Sequence, residues 1–260
     1  MKGKKKAIIV LMLFIIMAIF SDKIAPYSTD DFSFEVLLKP SYEHILGTDE
    51  MGHDLLSLVM NGFRVTISIA LISAVFSTLI GSLLALISTI MGGIVDKILV
   101  RICDVFIMIP EIIIILFFAA FAKPSLLNTL YAIIFFSWGK VFRILRAKIL
   151  AVKDKSKVKY TLLMKGNVID ISKKLWYDIR GTVVTMFILQ CSKAAVYETT
   201  LSYFGIGDPI VKTWGKVIKS AMNFEGIFYD GVYMWYLIPP ILCLIVFIVS
   251  LAFLTFDKME

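Results

Sequence analysis

Acidic side chains inside an apolar run are the first candidates for chemistry in this sequence. Asp104 and Glu111 lie within residues 98–122 and are seven positions apart, so a continuous helix would present them on nearly the same face. Ionisable groups inside a membrane span often mark ion pathways, and two carboxyl groups on one face could relay protons. A proton-coupled secondary transporter is therefore one hypothesis. The alternative places Asp104 near the membrane boundary and Glu111 against a helical partner or a water-filled cleft beside Pro110.

Lys193 and Glu198 are a second set of ionisable residues within an apolar run. Five residues apart is poor helical geometry for direct contact. We nevertheless expect a packed, partnered pair here rather than a ligand for a substrate.

The two histidines belong to the one residue set that resembles a metal site. His44 and His53 lie close in sequence to Asp49, Glu50 and Asp54. Histidines nine residues apart do not share a helical face as an i, i+4 pair does, so we expect a solvated segment and no metal. A membrane-anchored metalloenzyme is the alternative. The sequence contains no nucleophile elbow, phosphate-binding glycine loop or paired acid and base motif, so we predict no catalytic residues and no cofactor.

The composition is that of a membrane protein. Hydrophobic residues make up 59% of the 260 residues, charged residues 18%, and the mean hydropathy is +0.86. Soluble proteins average about 25% charged residues. The net charge of +7 would suit nucleic acid in a soluble protein, but here the charges lie in blocks between apolar runs. We therefore predict an all-α integral membrane protein whose surrounding partner is the lipid bilayer, with no nucleic acid bound.

Six apolar runs predict six transmembrane helices. Pro110 interrupts the third run, and Pro239 with Pro240 kinks the sixth. The first run is short and follows four lysines, as in a secretory signal, but no small-x-small cleavage pattern follows it, which favours an uncleaved helix. The runs are residues 7–20, 65–90, 98–122, 126–142, 181–201 and 234–256.

We divide the chain at residue 64. Residues 1–64 hold the first helix and an extracytoplasmic segment, and residues 65–260 hold a core of five spans. Within the first part, Asp49 and Glu50 precede four apolar residues at helical spacing, and Asn61-Gly62 follows them. This pattern predicts a short amphipathic helix on the membrane surface that ends at Asn61-Gly62. The four apolar residues are Leu55, Leu56, Val59 and Met60.

A basic segment predicts the orientation in the membrane. Residues 140–180 contain twelve basic and three acidic residues, and 19 of the 27 lysines and arginines of the chain lie on the same predicted side. Cytoplasmic loops carry an excess of lysine and arginine. We therefore expect residues 143–180 to form a cytoplasmic loop, residues 202–233 an external loop, and both termini to lie in the cytoplasm.

Two motifs, in the right order, resemble the second (C-type) inner-membrane permease of dipeptide, oligopeptide and nickel ABC importers. Residues 44–54 read HILGTDEMGHD, similar to the family pattern H-x-L-G-T-D-x-x-G-R-D, with His53 at the usual arginine. Residues 198–207 read ETTLSYFGIG, and Trp214-Gly215 follows. The motif residues are Gly47, Thr48, Asp49, Gly52, Asp54, Arg64, Glu198, Leu201, Ser202, Gly205, Gly207, Trp214 and Gly215.

The resemblance implies a fold, a set of partners and a mechanism. The fold would be that of a type I ABC importer permease, pairing as a heterodimer with a second permease subunit to form the translocation path. Two cytoplasmic ATPase subunits would hydrolyse the ATP, so this chain would not itself be an enzyme, and an extracytoplasmic binding protein would deliver the substrate. Transport would proceed by alternating access. Peptides, nickel and metal chelates are all carried within the family, so the substrate stays open.

The family's ATPase-coupling element is altered in this chain. Its pattern of Glu-Ala-Ala, three residues and Gly falls on residues 162–164 and Val168 when Tyr160 is aligned with the family's tyrosine, and Gly181 stands where a proline is expected. The apolar side chains between Lys159 and Lys165 would suit a partner's groove with a charged rim, or else rest on lipid headgroups. The coupling residues predicted on this basis are Tyr160, Thr161, Leu162, Leu163, Met164, Lys165 and Gly166.

Overall fold

A computed structural model describes residues 2–153 and 168–256 of the chain. Within these two ranges the regular elements are helices, which confirms the predicted all-helical class; one isolated bridge joins Thr48 and Asp54. The helices are α1 (Lys2–Ile19), α2 (Ser21–Ile24), α3 (Leu55–Met91), α4 (Gly93–Met108), α5 (Glu111–Phe121), α6 (Leu126–Lys153), α7 (Val168–Tyr203), α8 (Trp214–Asn223), α9 (Tyr233–Tyr236) and α10 (Ile238–Phe256).

Three helical segments of the described chain are long and apolar enough to cross a membrane. They are α3, most of α7, and α9 together with α10. The pair α4 and α5, bent by 83° at their junction, gives a fourth when it is counted as one broken span. The predicted first and fourth spans correspond to α1 and α6, and the total of six stays a prediction.

Helix α3 is the centre of the bundle. It packs against α6 and α7 along much of its length, and α1, α4 and α8 also contact it. A Cβ added at Gly81 would lie only 2.6 Å from Cβ of Val141 and 2.8 Å from the carbonyl oxygen of Trp138, so α6 approaches α3 closely at that point. Small side chains on one face permit such close packing between membrane helices. The small buried residues of α3 include Ala70, Ser73, Ala74, Ser77, Thr78, Gly81, Ala85 and Ser88.

The predicted surface helix ending at Asn61-Gly62 is wrong, because α3 runs without a break from Leu55 to Met91. Asp54, rather than Asp49 or Glu50, precedes its first turn as the N-cap. Gly62 does not stop the helix; a Cβ there would overlap the indole ring of Trp214, which packs directly on the helix backbone. The dividing line at residue 64 falls inside α3, and the division into two regions stays a prediction.

The predicted break at Pro110 is present. Helix α4 ends at Met108, α5 begins at Glu111, and the two axes differ by 83°. Proline lacks the backbone N–H that an uninterrupted helix needs and its ring clashes with the preceding turn. Asp104 and Glu111 therefore lie on different helices, and the expectation that they share one helix face is wrong.

Much of the predicted cytoplasmic loop is helical. Helix α6 continues to Lys153 and α7 begins at Val168, so residues 143–153 and 168–180 were wrongly predicted as loop. The predicted coupling residues, Tyr160 to Gly166, lie outside the described residues. The predicted external loop, residues 202–233, contains the last two residues of α7 and all of α8.

Among the described residues, the buried apolar side chains divide into three clusters along the bundle. The largest occupies the middle, where Phe14 of α1 and Phe247 of α10 stack with ring centroids 5.8 Å apart against α3. A second joins α6 to the first turns of α7 around Leu145 and Leu175, and a third packs α8 against the start of α3 at Leu55. We call the end with residues 25–54 and 204–232 the motif end, and the opposite end the basic end.

Candidate functional site

Asp54 anchors the start of the central helix. Its carboxylate accepts hydrogen bonds from the backbone N–H of Ser57 (2.8 Å) and from Oγ of Ser57 (2.7 Å), and it lies 3.0 Å from Nδ1 of His44. An N-cap carboxylate satisfies helix N–H groups that have no intrahelical partner and favours the positive end of the helix dipole. The first family motif thus ends in the cap of α3.

The rest of the first motif folds on itself. Asp49 accepts hydrogen bonds from the backbone N–H groups of Met51 (2.9 Å) and His53 (2.8 Å), and Nδ1 of His53 lies 2.9 Å from its second oxygen. Thr48 donates to the carbonyl of Glu35 and accepts from the backbone of Leu38. These bonds make a compact turn next to the N-cap.

The two histidines do not converge on a common point. Each ring nitrogen Nδ1 faces a different carboxylate, Asp54 for His44 and Asp49 for His53. Among the described residues, no group of three or more histidine, cysteine or acidic side chains is arranged to hold a metal ion. The segment is also not solvated as expected, because both histidines are buried.

The last motif forms a junction with α3, which we call the Trp214 junction and define by Val59, Gly62, Phe63, Trp214 and Gly215. The Trp214 side chain is fully buried, and its Nε1–H donates a 3.0 Å hydrogen bond to the carbonyl of Val59. Its ring meets that of Phe63 edge to face, with centroids 4.9 Å apart. The missing side chain of Gly62 leaves the space that the indole fills.

Helix α7 completes this end of the molecule. Glu198 is fully buried and accepts a 2.7 Å hydrogen bond from Oγ of Ser202 one turn later. A Cβ on Gly215 would lie 2.8 Å from Cβ of Ser202, so α8 and α7 are in close contact. Gly205 has φ of +76°, the left-handed conformation that commonly ends a helix, and the N–H of Ile206 bonds back to Leu201.

Arg64, the remaining residue of the first motif region, lies at the surface. Its guanidinium donates to both carboxylate oxygens of Asp22 at 2.7 and 2.5 Å, which joins α3 to α2. Both side chains are exposed, and exposed ion pairs contribute on the order of 1 kcal/mol or less. Gly207 lies beside Ser202 in the turn after α7.

A cavity of about 350 Å³ opens at the motif end between the two motifs. Three half-buried lysines line it, Lys212, Lys216 and Lys219, together with Asp49 and His53. Partial burial lowers the pKa of Lys216, although the nearby Asp208 opposes this effect. The cavity can accommodate an anionic group.

Towards the basic end, ion pairs connect α6 to the bent pair α4 and α5. Arg146 donates to both oxygens of Asp96, at 2.7 and 2.6 Å, and Arg143 contacts Asp104. Asp96 also accepts from Ser88 of α3. Arg143 precedes Arg146 on α6, whereas its partner Asp104 follows Asp96 on α4. These contacts therefore hold α4 antiparallel to α6. Both arginines belong to the predicted cytoplasmic loop, and no sequence pattern indicates their acidic partners.

Glu111 lies at the centre of a second polar group, deeper in the bundle. Its carboxylate accepts from Nζ of Lys193 (2.7 Å) and from Oγ of Ser137 (2.5 Å), and Nζ of Lys140 lies 3.5 Å away. Gln190 donates to the carbonyl of Ser137. The predicted pairing of Lys193 with Glu198 is therefore wrong. Glu111 and Lys193 were both noted in the sequence, but nothing there shows that α5 and α7 bring them together.

Comparison with known proteins identifies the family. Residues 77–256 match the family of binding-protein-dependent transport system inner membrane components. The chain is 29% identical over 225 residues to the probable D,D-dipeptide transport system permease protein DdpC of Escherichia coli (strain K12), covering 83% of this chain and 74% of that protein.

Two further relatives are also transport system permease proteins. Identity is 29% over 222 residues with the oligopeptide transport system permease protein OppC of Bacillus subtilis (strain 168), covering 83% of this chain and 72% of the relative. It is 26% over 219 residues with the glutathione transport system permease protein GsiD of Pectobacterium atrosepticum, covering 82% and 72%. Because the family match spans most of the chain, including α4 to α10, the sequence resemblance is confirmed: this multi-pass membrane protein belongs to the inner membrane component family of binding-protein-dependent transport systems.

Proposed function

We propose that the chain is the permease subunit of an ATP-driven importer of peptides and forms half of the translocation path with a second permease. The observation that carries this proposal is the family match over residues 77–256. The names of the three relatives describe transport of D,D-dipeptides, oligopeptides and glutathione. Those names favour a peptide over the nickel or metal chelates that the resemblance also allowed.

The proposed arrangement has six spans, with α1 and α6 as the first and fourth, and both termini in the cytoplasm. The basic end then faces the cytoplasm, in agreement with the excess of lysine and arginine in residues 140–180. Two ATPases would bind at this end through residues 160–166. The extracytoplasmic binding protein would release substrate at the motif end, where the lysine-lined cavity opens.

The proposed mechanism is alternating access. ATPases that contact the basic end differently in their two states would shift the balance between inward-open and outward-open arrangements. The bend at Pro110 divides the third span into two helices, and ion pairs from Asp96 and Asp104 attach the first of them to α6. A movement of α6 would therefore be transmitted to α4. The chain itself would hydrolyse nothing.

The geometry does not favour the proton-coupled transporter. Asp104 contacts Arg143, while Glu111 bonds to Lys193 and Ser137 on the other side of the helix break. Carboxylates that are engaged with separate cations on separate helices do not form a continuous proton path.

Reconstitution tests the proposed function. The chain would be purified with its second permease and two ATPases, placed in proteoliposomes, and supplied with the binding protein and a labelled dipeptide. We expect uptake that requires ATP and stops when either ATPase carries an inactivating substitution. Uptake that proceeds without ATP and disappears with the proton gradient would show that the proposed function is wrong.

A further inference from the structure

Lys140, Lys193 and Glu111, which we call the charged cluster, bring two ammonium groups to one carboxylate. Glu111 is nearly buried, with 6% of its side chain exposed, and both of its oxygens are engaged: one with Ser137 and the other with Lys193. The remaining ammonium group, Lys140, lies 3.5 Å from Glu111, beyond the usual range of about 2.7 to 3.2 Å for an N–H···O bond. The cluster thus has one positive charge more than it neutralises.

Two helices agree on the depth of the charged cluster. Lys193 lies in α7, ten residues before the end of that helix at the motif end, which is about 15 Å at 1.5 Å per residue. Lys140 follows the start of α6 by fourteen residues, about 21 Å. The hydrocarbon core of a bilayer is about 30 Å thick. The charged cluster therefore lies near the middle of the membrane.

The exposed fractions show that the described residues do not enclose this charge. The Lys140 side chain is 52% exposed and that of Lys193 is 24% exposed. An ammonium group facing lipid at this depth is energetically costly, so such residues face water-filled cavities or opposite charge. The surface around Lys140 is therefore one that a polar path or a partner covers in the assembled transporter.

We propose that the charged cluster is a carboxylate-binding station in the translocation path, where Lys140 binds the C-terminal carboxylate of the peptide. This inference rests on the proposed function. A second carboxylate would balance the charge of the second ammonium group. It would accept hydrogen bonds from the N–H groups of Lys140 that Glu111 leaves free. Lysine is a compact charge on a flexible stem, and half-exposed ion pairs are weak, so the peptide could bind briefly and leave.

The role of Glu111 follows from this arrangement. It holds Lys193 by a direct 2.7 Å bond and keeps two like charges close together, which would otherwise repel. Lys193 and Glu111 are positioning residues, whereas Lys140 is the group that meets the substrate. Lys140 is therefore the position at which the proposal can be tested with least disturbance of the packing.

The test compares a dipeptide that has a free carboxylate with the same dipeptide as its C-terminal amide, in the complete transporter. For each peptide separately, uptake by each variant is compared with uptake by the unmodified protein. The amide is supplied at a concentration where its uptake is measurable. The binding protein's own preference between the two peptides then cancels. We expect Lys140→Gln to reduce uptake of the free acid by up to about fivefold, as for a half-exposed ion pair, and to leave uptake of the amide unchanged. Lys140→Arg, which keeps the charge, should retain most of the uptake of the free acid.

Lys148→Gln is the matched control, since Lys148 is an exposed lysine on the same helix, two turns nearer the basic end. This variant should change the uptake of neither peptide. Equal losses of both peptides in Lys140→Gln would overturn the proposal and assign Lys140 to an acidic residue of the second permease or to packing. Unchanged uptake of both peptides in Lys140→Gln would also overturn the proposal. If the unmodified transporter imports neither peptide under ATP, the proposed function itself fails, which is a different outcome.

Discussion

Replacing Gly62 by alanine tests the central packing contact between the two family motifs. In an exposed helix, glycine to alanine is stabilising by about 1 kcal/mol, because alanine has the higher helix propensity. At Gly62 the new Cβ would lie 2.9 Å from Cγ of Trp214 and closer still to other ring atoms, against an ordinary carbon contact of about 3.5 to 4.0 Å. The indole cannot retreat freely, because it is fully buried and bonded to Val59.

The magnitude follows from a matched pair of variants. Gly181 is also inside a helix, in α7, and a Cβ there would meet nothing within 4 Å. Both substitutions gain similar helix propensity, so the difference between them isolates the overlap with Trp214. Overpacking of a filled core costs about 1 to 3 kcal/mol. We expect Gly62→Ala to be less stable than Gly181→Ala by that amount.

The assay is the free energy of unfolding of the purified protein in detergent micelles, followed by tryptophan fluorescence and helix content. A third variant sharpens the test: in a Trp214→Leu background, where the ring is gone, Gly62→Ala should become neutral or stabilising. The reasoning is refuted if Gly62→Ala is as stable as Gly181→Ala, or if its effect is the same with and without Trp214.

Two further predictions concern the basic end. A double-mutant cycle with Asp96→Asn and Arg146→Met should give a coupling energy on the order of 1 kcal/mol, because the two-bond pair between them is only about a quarter exposed; strictly additive losses would contradict the contact. Leu162→Glu with Leu163→Glu should abolish ATP-driven peptide uptake while membrane insertion, measured by fractionation, is unchanged; undiminished uptake would show that these residues do not couple the ATPase.

The features predictable from the sequence are those with a local cause. Pro110 breaks the third span because proline inside a helix removes a backbone hydrogen bond, and the apolar runs indicate helices because a membrane admits little else. The two motifs also identified the family correctly. The contacts among the motif residues were not predictable from the sequence. Asp54, for example, is the N-cap of α3, whereas the sequence pattern indicated Asp49 and Glu50 at the helix N-terminus.

The failures have a non-local cause. Gly62 after Asn61 has the local pattern of a helix end, yet the helix continues through it. The glycine instead leaves room for Trp214, which is far along the chain. The separation of Asp104 from Glu111 is the exception, because its cause, the break at Pro110, is local. Lys193 could be assigned to Glu111 only after α5 and α7 were placed side by side.

The chemistry of α3 has a consequence for biosynthesis. This helix is made before α6 and α7, the helices that later cover its small polar face, so it must enter the membrane while that face is bare. Three of its hydroxyl groups meet this need locally: Ser77 donates to the carbonyl of Ser73, Ser82 to that of Thr78, and Thr89 to that of Ala85. The hydroxyls of Ser73 and Thr78 have no hydrogen-bond partner among the described residues. Hydroxyls bonded one turn back on their own helix are already satisfied in lipid. These hydroxyls therefore need no partner from another helix while α3 is alone in the bilayer. The small side chains of α3 then let α6 and α7 pack closely against it.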